Sequence, residues 1–515
     1  MYPKQIFLFV LFCCLLLVCS CNRENDNKDD LPNIVLILAD DLGWSDIGAY
    51  GSEISTPNLD SLASNGMQFT HFRNTSKCFP SRGALLTGVY AQQSGYHIDY
   101  QQPLKNSVTL GEALRTAGYR TLMSGKHHGL ENPYNRGFDR YYGLKEGASN
   151  HFNPGKQRPG EPKPANKGRV RPFGIDSVLI APYTPDKDFY TTDYFTNYAV
   201  DWIEEYKNED RPIFLYISYT APHDPLMAWP EDIEKYEGMY DEGYESIRQK
   251  RYQKQLEIGL IDSTYKLSDP VFTPWDELSD SLRRFESKKM EVYAAMIDRM
   301  DQNIGRVLKK LRETGRAENS LILFASDNGA SAEVVRLGTD DDTATIGSLA
   351  RWVSLGGDWA NVSNTPFRFY KNYSHEGGIN TPLIVYWKDK IQEGTFSDLP
   401  GHFIDFMATF VDLTGADYPD EFNGEPVLPM QGRSFLPELL GEETEPRKEP
   451  LFWAWSDGKA MEQNNWKIVK EGESADWELY NMETDPTETN NLANQYPELV
   501  DKMDSIYGNW YEKYY

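Results

Sequence analysis

A chain of 515 residues has room for one large domain, a smaller one and an ample core. Its formal net charge of −26 at pH 7 argues against nucleic acid or an anionic membrane surface as a partner. It does not exclude a small anionic substrate, because charges beyond ~8 Å are screened at physiological salt and the local pocket decides.

Four of the five cysteines, Cys13, Cys14, Cys19 and Cys21, lie in the first two dozen residues. Lys4, a short apolar run and "VCSC" read as a secretory signal over residues 1–21, with an imperfect lipobox that leaves Cys21 acylated after cleavage. The run falls short of the ~20 residues of a transmembrane span; an uncleaved anchor is the competing reading. Residues 22–31 are polar and charged, a flexible tether. After cleavage only Cys21 and Cys78 remain, so no intrachain disulfide can form even in an oxidising compartment. Cys78 is then a small buried apolar residue or a group with chemistry.

"NIVLILAD" (33–40) is a continuous apolar, β-branched run that predicts a buried strand of a parallel sheet. "RPIFLYISY" (211–219), "NSLILFASD" (319–327) and "TPLIVYW" (381–387) read the same way. Between them, "TPNLDSLASNGM" opens with Thr56 as an N-cap and Pro57 at the first helical position. "VTLGEALRTAGY" and "TDYFTNYAVDWIEEYK" follow the same logic, and residues 285–315 give the longest helical period, ended by Gly315. Strands alternating with helices predict an α/β domain. Residues 153–172 read as a Pro/Gly/Lys-rich surface loop, and 227–280 as a charged, aromatic excursion. The 32 tyrosines and 12 tryptophans suit sugar-binding surfaces and cores alike. Beyond about residue 420 come short Trp-rich strands and a final helix, which places the larger α/β domain at 32–419 and a smaller α+β subdomain at 420–515.

Ligands of open α/β sheets bind at the carboxyl ends of strands. Here those ends are Asp40-Asp41 and Asp327-Asn328, hard oxygen ligands suited to Ca²⁺ or, less well, Mg²⁺. The third strand runs into "TAPHDP" and brings His223 to the same rim as a candidate acid or base. "GKHHG" offers Lys126, His127 and His128; "RFYKNYSHEGGINTP" offers Lys371 and His375. With Arg82, these cations would hold a tetrahedral oxyanion by charge-assisted hydrogen bonds. Pro80 fits the first turn of a helix starting beside Cys78, whose free N–H groups favour an anion there.

"CFPSRGALLTG" matches the C-x-P-S-R signature of the formylglycine-dependent sulfatases of the arylsulfatase type, in the alkaline phosphatase superfamily. "PNIVLILADDLGWSDIGAYG", "GKHHG", "NRGFDRYYG", "APHDP", "SDNGASAE", "HEGGINTPLIV" and "ELYNMETDPTETNNLA" resemble that family's landmarks in the expected order, over nearly the whole mature chain. The resemblance implies an alkaline-phosphatase-like α/β sandwich with a mostly parallel central sheet, plus a smaller C-terminal domain with an antiparallel sheet. It implies that a maturation enzyme converts Cys78 to Cα-formylglycine and that Asp40, Asp41, Asp327 and Asn328 hold calcium, with position 78 beside it. Arg82 matches the arginine that steadies the modified residue, and Lys126 and His128 the Lys-x-His pair. His223 and Lys371 match the groups that hold the sulfate and serve the leaving oxygen. His127 departs from the family, where tryptophan is common, and touches only local packing. His375 belongs to the subgroup, for substrate contact or structural support. In the implied mechanism one hydroxyl of the hydrated aldehyde attacks sulfur, and the second expels sulfate.

The expected activity is hydrolysis of sulfate esters of carbohydrates, exo-acting on a sulfated galactose or hexosamine. The expected location is the periplasm, outer membrane or cell surface of a Gram-negative bacterium, with membrane contact only through the lipid. The competing readings are a phosphonate or phosphodiester hydrolase of the same superfamily, and a lipid-anchored glycan-binding protein with Cys78 unmodified.

Overall fold

The computed structural model describes residues 31–96, 102–166, 171–337, 340–472 and 474–514. The signal segment, Cys21 and all of the tether but Leu31 lie outside these residues, and no helix among those described is long and apolar enough to cross a membrane.

The centre is an eleven-stranded sheet. Its strands are β1 (Asn33–Asp40), β2 (Met67–Arg73), β3 (Arg120–Gly125), β4 (Arg140–Leu144), β5 (Phe173–Ile175), β6 (Val178–Ile180), β7 (Ile213–Pro222), β8 (Ser320–Ser326), β9 (Asn380–Trp387), β10 (Thr395–Ser397) and β11 (Gly401–His402). They lie in the order β10-β2-β9-β8-β1-β7-β3-β4-β5-β6, with β11 on β2. The block β8-β1-β7-β3-β4 is parallel throughout. The 381–387 run departs from expectation: β9 is antiparallel to both β8 and β2. It is as apolar as its parallel neighbours because helices cover both faces, and burial on two sides removes the alternation that marks direction.

β1 shows how the sequence builds these layers. Val35, Ile37 and Ala39 enter one core with helices Pro57–Ser64, Thr191–Glu205, Tyr244–Glu257 and Asp280–Glu313. Ile34, Leu36 and Leu38 enter the other, with helices Cys78–Thr87, Leu110–Thr116 and Asp405–Thr414. The two-residue pleat assigns alternate side chains to opposite faces. The long helix starts at Asp280, five residues before the expected stretch, because Ser279 accepts the Leu282 N–H as its N-cap. Thr56 makes no such cap: its hydroxyl accepts the Gly48 N–H and meets Asp60.

After a two-strand ribbon, β12 (Glu421–Phe422) and β13 (Glu425–Pro426), the chain forms an antiparallel sheet. Its strands are β14 (Leu451–Trp455), β15 (Gly458–Gln463), β16 (Trp466–Glu471) and β17 (Glu478–Asn481). Helix Pro497–Tyr514 covers it, with Trp510 stacked 4.7 Å from Phe452. This sheet shares the second core. Trp44, Trp202, Trp359 and Trp453 are fully buried, so much of the aromatic excess is core. Together the layers form an alkaline-phosphatase-like sandwich with a smaller antiparallel C-terminal sheet.

Candidate active site

Four adjacent parallel strands deliver the site at their carboxyl ends. β8 leads to Asp327 and Asn328, β1 ends in Asp40 and Asp41, β7 leads to His223, and β3 leads to Lys126, His127 and His128. Gly125 permits the last of these: a Cβ there would fall 1.9 Å from Ser218 O. Asp41 (φ 64°) and His128 (φ 59°) sit in the left-handed region, which costs a non-glycine residue roughly 1–2 kcal/mol and is tolerated where the surroundings hold it.

Cys78 is the first residue of helix Cys78–Thr87 and is buried. Its Sγ lies within 4.8 Å of carboxylate oxygens of Asp40 and Asp327; Asp40, Asp41 and His223 form a second such group. Arg82, one turn into the helix, spans the floor. Its Nε and Nη2 lie 2.8 and 2.7 Å from Asp327 Oδ2, and Nη1 donates to Lys126 O at 2.9 Å and to Ser218 Oγ. Lys126 Nζ is 2.6 Å from Asp40 Oδ2, and Lys371 Nζ is 2.7 Å from Asp41 Oδ1. The structure thus brings Asp40, Asp41, Cys78, Arg82, Lys126, His223, Asp327, Asn328 and Lys371 into one cluster.

Burial and these neighbours move the titrations. Burial raises Asp40 to about 6 against the pull of Lys126. Burial acts on Asp41 too, but Lys371, His223 and Lys126 outweigh it and hold the carboxyl below the ordinary range. Burial pushes the Cys78 thiol up despite the lysines. His128 is driven well below the usual imidazole value by burial, then by Lys126 and Arg82. For His223 burial works downward, yet Asp41 and Asp40 leave it raised.

His223 Nδ1 faces two acceptors of Asp224, Oδ1 at 2.9 Å and the carbonyl at 2.6 Å. Nδ1 therefore carries the hydrogen, and Nε2 lies 3.6 Å from Asp41 Oδ2. Asp224 is fixed by Trp352 Nε1 at 3.2 Å and by Ser354 Oγ. Sequence reasoning passed over Asp224, although it stands next to His223 in "APHDP". His375 is placed elsewhere: its Nε2 is 3.3 Å from Glu478 Oε2, against Phe369, on the seam with the C-terminal sheet. His127 packs over Glu131 (Nε2–Oε2 3.9 Å).

The donor set fits a divalent cation. Asp40 Oδ1 and Asn328 Oδ1 are buried and make no hydrogen bond within the described residues. Such orphaned hard oxygens are what an oxygen-coordinated cation satisfies. Next to them stand two lysines, an arginine and a helix N-terminus, the complement of a tetrahedral oxyanion.

Fold and cluster together define a hydrolase of oxyanion esters. The sulfatase family model matches residues 32–416, and that of the C-terminal region of N-sulphoglucosamine sulphohydrolase matches 367–507. The chain belongs to the sulfatase family and is a sulfuric ester hydrolase. An uncharacterised sulfatase of Schizosaccharomyces pombe is 32% identical over 523 residues, covering 94% of this chain and 93% of that protein. An arylsulfatase of Klebsiella aerogenes is 32% identical over 441 residues, covering 79% and 92%. The solved structure of Ps i-CgsB with k-i-k-neocarrahexaose superposes with a TM-score of 0.68 at 25% identity, covering 93% and 92%.

Proposed function

We propose that this sulfatase removes sulfate from sulfated carbohydrates, with Cys78 matured to Cα-formylglycine by a modifying enzyme and Ca²⁺ held by Asp40, Asp41, Asp327 and Asn328. The observation that carries the reading is Cys78 itself: a lone buried cysteine on a helix N-terminus, set among carboxylates and lysines that no ordinary thiol site needs. The neocarrahexaose bound by Ps i-CgsB and the N-sulphoglucosamine sulphohydrolase match favour a sugar, a sulfated galactose or hexosamine in our reading. When bound, the cation would supply positive charge to the sulfate oxygens, and the matured residue an oxygen nucleophile.

The chain's own groups do the rest. Lys126 and Lys371 hold the sulfate oxygens by charge-assisted bonds. Arg82 holds Asp327 and the strand ends in place behind residue 78. His223, its Nδ1 hydrogen committed to Asp224, presents Nε2 to the leaving sugar oxygen as the acid. Either His128, kept neutral by burial and by Lys126, or Asp327, with a carboxylate oxygen within 4.8 Å of Cys78 Sγ, would accept the proton from residue 78. The signal segment and "VCSC" further suggest export as a lipoprotein to the periplasm or outer membrane.

The test is mass spectrometry of the Cys78 peptide from protein made in its native host, paired with sulfate release from a panel of mono-sulfated sugars. We expect the aldehyde and release from at least one sugar, both lost in Cys78→Ala. An intact thiol throughout, or undiminished release by Cys78→Ala, would refute the assignment.

A further inference from the structure

One carboxylate beside the cations is unused by this chemistry. Glu333, six residues beyond Asp327, pairs with Lys77 and lies 3.4 Å from Lys371 Nζ; Asn372 Nδ2 donates to it at 3.3 Å. Lys77 immediately precedes Cys78, and Lys371 is the partner of Asp41. Glu333 lines the small cavity that also touches Asp41 and His223. Its side chain is 36% exposed where that of Lys371 is 1% exposed. The carboxylate therefore stands on the solvent side of the two lysines.

We propose that Glu333 sets the charge selectivity of the site, admitting monoanionic sulfate esters and disfavouring dianions, both the released sulfate and phosphate monoesters. The inference rests on the sulfate-ester reading above. A sulfate ester carries one negative charge, whereas inorganic sulfate carries two, and a phosphate monoester carries nearly two above its second pKa of about 6. Coulomb attraction to Lys77 and Lys371 grows with ligand charge, so the lysines alone would hold the product more tightly than the substrate. Glu333 touches both ammonium groups, and the repulsion it adds also scales with the charge of the ligand. It penalises the dianion twice as heavily as the ester. Product release and rejection of phosphate monoesters then follow from one side chain, with no change in the covalent steps.

Calorimetry on Cys78→Ser protein tests this without maturation or turnover. Methyl sulfate, inorganic sulfate and inorganic phosphate are titrated in calcium buffer near neutral pH, with Glu333 intact, Glu333→Gln or Glu333→Asp. We expect Glu333→Gln to tighten both inorganic anions about tenfold and methyl sulfate no more than about threefold, while Glu333→Asp keeps the original order. Equal tightening of all three, no tightening, or no anion binding by any of the proteins overturns the proposal. In matured enzyme, Glu333→Gln should lower the inhibition constant of sulfate by the same factor and raise phenyl phosphate turnover relative to phenyl sulfate. Matured wild-type enzyme that turns over no sulfate ester would instead refute the sulfatase reading, and the calorimetric comparison would still decide the role of Glu333.

Discussion

Arg73→Met should destabilise the protein at neutral pH and far less in acid. Arg73 is 1% exposed; its Nε lies 3.1 Å from Glu376 Oε2 and its Nη2 3.2 Å from Glu462 Oε2. Lys467 meets Glu376 at 2.7 Å and Glu488 at 2.8 Å from the other side. Methionine fills much of the volume but leaves two buried carboxylates short of a cation, and breaking a buried pair costs about 3–5 kcal/mol. At about 2.1 cal/mol/K of unfolding entropy per residue, a chain of 515 residues loses about 1 °C of Tm per kcal/mol. The expected loss is thus about 3–5 °C by scanning calorimetry at pH 7. The pH dependence gives a second signature. Burial opposes ionisation of Glu376, but Arg73 and Lys467 win and lower it from 4.5 to about 2. A folded pKa below the unfolded one adds stability that is complete above 4.5 and lost as pH falls toward 2. Arg73→Met weakens that depression and removes the cation that opposes the burial-driven rise of Glu462. The folded variant then takes up protons that the wild type does not, and its deficit should shrink as pH falls from neutral; adding Glu462→Gln should recover part of it at neutral pH. A variant that melts within about 1 °C of wild type at pH 7, or a deficit unchanged in acid, would refute this account of the seam.

Two further outcomes concern the site. Asp224→Asn removes the charge that orients the Nδ1 hydrogen of His223. It should cut kcat/KM about 10²–10³-fold for sugar or alkyl sulfates, which need a proton on the departing oxygen, and under about tenfold for nitrophenyl sulfate; equal losses would remove His223 as the acid. Chelation with EGTA should abolish activity and lower Tm by about 2–3 °C, since a ligand at a hundred times its Kd contributes about 2.7 kcal/mol. Ca²⁺ should restore both better than Mg²⁺, and an unmoved Tm would reject Asp40, Asp41, Asp327 and Asn328 as a cation site.

The carboxyl-end residues could be read from sequence because polar side chains there terminate apolar β-branched runs, and the sheet order places four such ends side by side. Strand direction could not. Nothing in "TPLIVYW" distinguishes an antiparallel strand from its parallel neighbours once both faces are buried. β2 was missed for a related reason: "MQFTHFR" mixes Gln68, Thr70 and His71 into a strand whose polar groups are satisfied by Ala49, Ser397 and Asp398. The Lys77–Glu333 pair joins residues 256 positions apart; no local period encodes it. His375 stood between substrate and support from its motif alone, and the chain brings Glu478 to it from the C-terminal sheet.

The same contacts explain why this site needs its second sheet. Lys371 is fixed at its backbone by Ala330 O at 3.0 Å, just past Asp327 and Asn328. Five residues later Glu376 is clamped by Arg73 of β2 and Lys467 of β16, and its N–H donates to Glu488 at 2.9 Å. Immediately past Glu376 the chain packs back on this segment so tightly that a Cβ on Gly377 would fall 2.1 Å from Arg368 O, and one on Gly378 2.0 Å from Tyr373 O. The segment carrying Lys371 is thus held between the catalytic rim and the C-terminal sheet. Loosening the Glu376 clamp should move Lys371 before it unfolds the core, so Arg73→Met should raise KM for sulfate esters at temperatures well below its Tm. A variant that melts early yet keeps a wild-type KM would show that the Ala330 anchor alone positions the lysine.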